Sequence, residues 1–180
     1  FEQGNEVAIA KMITDYDPDQ LINMADFISG NHSALNRAEK VQDRCYRINT
    51  YLPAALSEIC NHLNVPMIHL SNPYVFDGEK RLGYNENDEP NPIGVYGIAS
   101  LQGELAVQQH ASHVIIRSGW LFGKHKKGLI RSWIRSSIKS DCQLQVQRRR
   151  FSRTHTGDLA AAILAIAQKI YCAANAWLLY

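Results

Sequence analysis

Short apolar runs alternate along this chain with longer stretches of helical character, and that alternation restricts it to an α/β fold with a parallel sheet. Leu21 to Met24 reads as a fully buried strand, Val65 to Leu70 (VPMIHL) as the next, and His113 to Arg117 (HVIIR) as a third. Between the first two lies a helical pattern from Arg37 to Leu63, with a kink expected near Pro53. Pro92 to His110 reads as the helix between the second and third. Glu6 to Ala10 (EVAIA) alternates with period two and reads as a strand, as do Gln143 to Val146 and the terminal Ala176 to Tyr180. Gly128 to Lys139 is written as a helix, and Thr156 or Asp158 caps a last one that runs to about Tyr171.

The length of 180 residues suits one domain, and a composition of 46% hydrophobic and 20% charged residues is that of an ordinary globular protein. No apolar run approaches the roughly 20 residues that span a bilayer, so no membrane is expected. Phe1-Glu2-Gln3-Gly4 leads straight into the patterned region with nothing resembling a signal peptide. Cys45, Cys60, Cys142 and Cys172 are widely spaced and contain no CxxC pair, which points to reduced thiols and a cytoplasmic location. His110 and His113 share a helical spacing but lack a third ligand nearby, so no metal site is expected.

Charge is distributed unevenly. Ten of the 19 basic residues lie between Lys124 and Arg153, against the single acid Asp141. Arg131, Arg135 and Lys139 recur opposite Leu129, Ile130, Trp133, Ile134 and Ile138, the pattern of a solvated helix face. Arg148-Arg149-Arg150 and Arg153 crowd a loop, where they suit a diphosphate or an acidic protein partner. Nucleic acid is not expected, because the basic residues come without interleaved aromatics or a known motif.

The ordered motifs are more specific. Ile68 to Gly78 reads IHLSNPYVFDG, followed by the acidic, proline-containing Tyr84 to Pro92 and then Val95-Tyr96-Gly97. Around these stand Pro18-Asp19-Gln20-Leu21-Ile22-Asn23, Ile48-Asn49, Arg117-Ser118-Gly119-Trp120, and Thr154-His155-Thr156-Gly157-Asp158-Leu159-Ala160. In this order, over nearly the whole chain, they resemble the dTDP-4-dehydrorhamnose reductase family, sugar-nucleotide-binding members of the extended short-chain dehydrogenase/reductases.

The resemblance implies a Rossmann-type doubly wound sheet with a small C-terminal substrate-binding part. Residues 1–142 would form the dinucleotide-binding domain, and 143–180 the partial substrate-binding segments with a return helix and strand. It also implies NADP or NAD as cofactor, a nucleotide sugar as substrate or ligand, and reduction of a ketone on a deoxysugar. Yet no GxGxxG or GxxGxxG occurs anywhere in the chain. The first strand and its glycine loop are therefore expected to be missing from this sequence, together with a further stretch near residue 11.

In the family, a tyrosine protonates the carbonyl and a lysine four residues later lowers its pKa and holds the nicotinamide ribose. Here the tyrosine is Tyr96 and the lysine position is Ser100. The family's Ser-Thr-Asp reads Ser71-Asn72-Pro73, so Asn72 replaces the hydroxyl donor, as amides do in oxyanion holes. If the lysine lowers the tyrosine pKa by about 3 units, its loss removes roughly 4 kcal/mol, or about a thousandfold in rate. The resemblance makes Tyr96 and Asn72 the catalytic candidates. Asn23, Ala25, Asn49, Ser71 and Ser100 are the cofactor-binding ones, and Trp120, Arg153 and His155 the substrate-binding ones. Asp26 stands where the family has a small or hydrophobic residue. The expectation is a weakly active or inactive sugar-nucleotide-binding protein. Its rivals are a working reductase and a regulatory subunit that binds a protein partner, or a second copy of itself.

Overall fold

Why the first helix forms is visible once its whole length is considered. In the computed structural model, which describes residues 5–27, 33–124, 138 and 152–175, α1 spans Glu6–Tyr16. Ile9 and Ile13, one helical turn apart, meet Cys60 and Val65 in a small core beneath it. The expected strand at Glu6 to Ala10 is therefore a helix. Its alternation is the start of a 3.6-residue pattern, in which Val7 is turned to solvent and Ile13 is buried. The stretch expected to be missing near residue 11 falls away with it, because α1 runs unbroken through Lys11 and ends on Asp17 in the left-handed region (φ 42°). Leu21 then follows within one short turn.

Three strands form the main sheet in the order β1-β2-β3, all parallel. They are β1 Leu21–Asn23, β2 Met67–Ser71 and β3 His113–Arg117. Asn23 pairs in register with His69, and Ser71 with Arg117. β2 lies between the other two, and its Met67 and Ile68 are completely buried. The alternation of parallel strands with helices is the α/β architecture that the sequence predicts.

The long helical stretch is not one regular helix, and its irregularity lies close to the kink expected near Pro53. It consists of α2 Ser33–Lys40, a break at Val41, α3 Gln42–Tyr46, a wide five-residue π turn Arg47–Tyr51, and α4 Leu52–Leu63. Pro53 is the second residue of α4, and because the π turn runs into α4 without a break, its missing N–H leaves a carbonyl of that turn without an intrahelical donor. The irregularity thus lies ahead of the proline, in the turn that carries Asn49 and Thr50. α4 closes on Asn64 (φ 56°), whose backbone bonds to Asn61 and Cys60 satisfy the last carbonyls.

Helix α5, Val95–Val107, begins three residues later than Pro92, with Gly94 in extended conformation as the residue before its first turn. It packs very closely against its neighbours. A Cβ built at Gly97 would stand 2.1 Å from the Tyr74 carbonyl oxygen, and one at Gly103 would stand 2.0 Å from that of Asn49. Only glycine fits at either position, and both contacts bring the π turn and the β2 exit against α5. A second, two-stranded sheet pairs β4 Trp120–Phe122 with β5 Arg153–His155 in parallel, and α6 Thr156–Asn175 follows. α6 runs past the expected end at Tyr171. The expected helix at Gly128 to Lys139, with the strands at Gln143 to Val146 and Ala176 to Tyr180, lies outside the described residues apart from Ile138.

Cys45, Cys60 and Cys172 are free thiols. Burial pushes Cys60 up to about 11, and burial with Asp26 and Glu39 nearby does the same for Cys45. His110 and His113 each contact the backbone through one ring nitrogen, at the carbonyls of Val65 and His110. No described helix is long and apolar enough to cross a membrane.

Candidate functional site

Parallel strands deliver their C-terminal ends to one edge of the sheet, the place where open α/β sheets bind ligands. Here that edge receives Asn23 to Asp26 from β1 and Ser71-Asn72 from β2, with the first turns of α5 beside them. Asn72 is extended and caps a 3-10 turn over Pro73–Val75, its Oδ1 accepting from the Tyr74 N–H at 3.0 Å. Pro73 sits inside that turn, where a fixed φ is preorganised. Glu39 reaches across from α2 to accept from the Val95 N–H at 2.9 Å, capping the N-terminus of α5 one residue before Tyr96.

Tyr96 is buried, and its hydroxyl meets both carboxylate oxygens of Asp26, at 2.9 and 3.0 Å. Burial and then the Asp26 charge hold the phenol well above the usual tyrosine range. A carboxylate on the hydroxyl opposes ionisation of the phenol, the opposite of what a neighbouring cation does.

Asn49 ties the group together. Its Nδ2 donates to Asp26 Oδ1 at 3.1 Å and to Ser100 Oγ at 3.0 Å, while its Oδ1 accepts from the Phe27 N–H at 2.9 Å. Ser100 is saturated. Its hydroxyl accepts from Asn49 and, at 2.9 Å, from Asn72 Nδ2, and donates to the Tyr96 carbonyl at 2.8 Å. Asn72 thus accepts from the Tyr74 N–H with its side-chain oxygen and donates one N–H of its amide to Ser100.

Tyr96, Asn72, Asn49 and Ser100, all singled out from the sequence, thus form one hydrogen-bonded group. Ser71 adjoins it, buried, with no hydrogen-bond partner for its Oγ among the described residues. Trp120 joins through an aromatic relay: its Nε1 donates to Tyr74 Oη at 3.1 Å, and the Tyr74 ring meets Tyr96 edge-on at 5.4 Å. Asn23 turns the other way, its Nδ2 donating to His69 Nδ1 at 3.1 Å and its Oδ1 accepting from the Ala25 N–H. Arg153 and His155 are exposed on β5 beside β4, with Trp120 in register with Arg153. His155 contacts Phe122 and Asp158 instead of the tyrosine group.

In the sequence Asp26 stands out only as a departure from a pattern, and nothing there identifies it as the tyrosine's partner. A buried ion pair behind the site, Glu104 with Arg117 at 2.7 Å, likewise goes unmarked there. An acid written into an otherwise apolar helix, and an arginine closing an apolar strand, are the signals that could have found it. Asp77-Gly78 is a turn, as expected, with Gly78 at φ 86° and Asp77 accepting from the Glu79 N–H and from the Tyr84 hydroxyl.

For a nicotinamide cofactor the fit is partial. The strand ends and the Ser71 hydroxyl, unpartnered among the described residues, suit a ligand, but Ser100, which the resemblance puts at the ribose clamp, has no charge and no unused hydrogen-bonding capacity. The residues at that position do not fit the clamp.

Comparison with known proteins gives a consistent family. A family model for the RmlD substrate binding domain matches residues 2–180. A dTDP-4-dehydrorhamnose reductase from Sinorhizobium fredii is 30% identical over 98% of this chain and 58% of its own length. The Escherichia coli protein of the same name is 27% identical over 93% of this chain and 54% of its own. Among solved structures, the dTDP-4-dehydrorhamnose reductase of Clostridium acetobutylicum superposes with a TM-score of 0.83 at 28% identity, over 92% of this chain and 57% of that one. That of Bacillus anthracis, determined in complex with NADP, gives 0.82 at 26% identity, over 90% and 56%. The chain therefore spans little more than half the length of these relatives.

Proposed function

Because this chain belongs to the family of the RmlD substrate binding domain, we propose that it is a dTDP-4-dehydrorhamnose reductase-like, sugar-nucleotide-binding protein with weak or no turnover. The observation that carries this reading is the surrounding of Tyr96. Its hydroxyl proton is directed at the Asp26 carboxylate, and one helical turn on stands Ser100, which offers no charge. A tyrosine whose pKa is raised is a poor partner for proton transfer near neutrality.

In this reading NADP or NAD is the cofactor, supported by the NADP complex of the Bacillus anthracis relative. The ligand is a nucleotide sugar, supported by the names of the relatives. Arg153 and His155 serve the substrate side, and residues 1–142 and 143–180 divide cofactor from substrate duties. A working reductase with Asn72 as carbonyl donor draws less support, because it leaves the Tyr96 hydroxyl proton on the Asp26 carboxylate. A non-catalytic subunit docking a partner through the basic stretch 124–153 rests on residues almost wholly outside the described ones.

Calorimetric titration of the full chain with a dTDP-deoxysugar, followed by an NADPH oxidation assay on the corresponding 4-keto compound, tests the proposal. Binding with little turnover is expected. No binding at millimolar nucleotide sugar contradicts it.

A further inference from the structure

A phenol has one proton to give. In this site that proton lies between Tyr96 Oη and the two oxygens of Asp26, at 2.9 and 3.0 Å. The carboxylate is itself held from behind: Asn49, buried at 6% exposure, donates to Asp26 Oδ1 while fixed by the Phe27 N–H and by Ser100. A hydrogen bond to an ionised acceptor is about twice as strong as a neutral one, so a ketone oxygen competes poorly for the same proton.

We propose that Asp26 is a positioning residue that withholds the Tyr96 proton from any substrate, independently of the serine at position 100. This rests on the reductase-type reading of the site, and it goes further. Restoring the lysine alone leaves the tyrosine occupied, because the carboxylate stays on the hydroxyl and also attracts the new ammonium.

The first test needs no turnover. In full-length protein labelled with ζ-13C tyrosine, Tyr96→Phe identifies the Tyr96 resonance. The titratable groups that face Tyr96 are Asp26, Cys45 of α3 and Tyr74 after β2, with Glu39 of α2 at the neighbouring Val95 N–H. Only the two carboxylates change charge in acid. The resonance is expected to move as the pH falls through the carboxylate range, to lose that movement in Asp26→Asn, and to keep it in Glu39→Gln. A resonance unmoved by acid, or one moving equally in Asp26→Asn, overturns the proposal; Asp26→Ala serves if the asparagine variant does not fold.

The second test compares Ser100→Lys with Asp26→Ala/Ser100→Lys in NADPH-dependent reduction of a 4-keto-6-deoxysugar nucleotide. The double variant is expected to be faster by about ten- to a hundredfold, the rate equivalent of one hydrogen bond to a charged group. Measurable turnover at equal rates in the two variants overturns the proposal. Turnover in neither, with the acid transition of Tyr96 present and dependent on Asp26, upholds the carboxylate's hold and overturns the reductase reading instead.

Discussion

Glu104 and Arg117 form a two-pronged ion pair between α5 and the end of β3, with Nε and Nη2 of the arginine 2.7–3.1 Å from the carboxylate oxygens. The glutamate is fully buried, and the guanidinium also lies 5.1 Å from the centre of the Phe76 ring. The pair fastens the helix that carries Tyr96 to the strand beside it.

Removing one partner leaves the other charge buried and unmatched. Glu104→Ala is expected to cost about 3–5 kcal/mol of stability, whereas replacing both residues by leucine and methionine costs much less. Urea unfolding of the single and double variants measures the difference, and equal losses would mean that the pair is not coupled.

Gly103→Ala should be among the most damaging small substitutions, because its Cβ would stand 2.0 Å from the Asn49 carbonyl oxygen. Relief requires α5 to move away from the π turn, at a cost on the order of 1–3 kcal/mol for overpacking. The displacement should also loosen the bond from Asn49 to Ser100. A loss in thermal stability, together with a shift of the Tyr96 environment in the near-ultraviolet circular dichroism, is the expected result.

His69 sits in the middle of β2 at 4% exposure, accepting from Asn23. Burial lowers its pKa from 6.5 to about 4, partly opposed by the charge of Glu104. The unfolded chain therefore takes up a proton before the folded one does. Stability is full above about pH 6.5 and falls as the pH drops toward 4, by roughly 3 kcal/mol from this group. Asp77, lowered to about 2 by the Tyr84 hydroxyl and neighbouring amides, adds a separate loss only below 3.8. Urea midpoints at pH 7.5 and 5 should differ in the wild type and converge in His69→Asn.

How much of this was legible in the letters depends on the reach of each signal. The strands at Leu21, Met67 and His113 announce themselves as short apolar runs, and the tyrosine group follows from motifs in fixed order. Glu6 to Ala10 predicts a strand where α1 stands, because these five residues fit either period. Only the recurrence of Ile9 and Ile13 in contact with Cys60 and Val65 decides for a helix. The π turn lies immediately ahead of Pro53, the one residue of the stretch that marks an irregularity in the letters. Asp26 and Tyr96 are 70 positions apart, and nothing local to either tells that a carboxylate will meet the phenol. Such a contact belongs to the packing of β1, the π turn and α5 taken together.

The most direct measurement is the rate of NADPH oxidation by the full chain with a 4-keto-6-deoxysugar nucleotide, run beside Tyr96→Phe. The account predicts a wild-type rate close to that of the phenylalanine variant, because a tyrosine without its lysine and held by Asp26 contributes little proton transfer. Brisk turnover in the wild type, abolished in Tyr96→Phe, would contradict it.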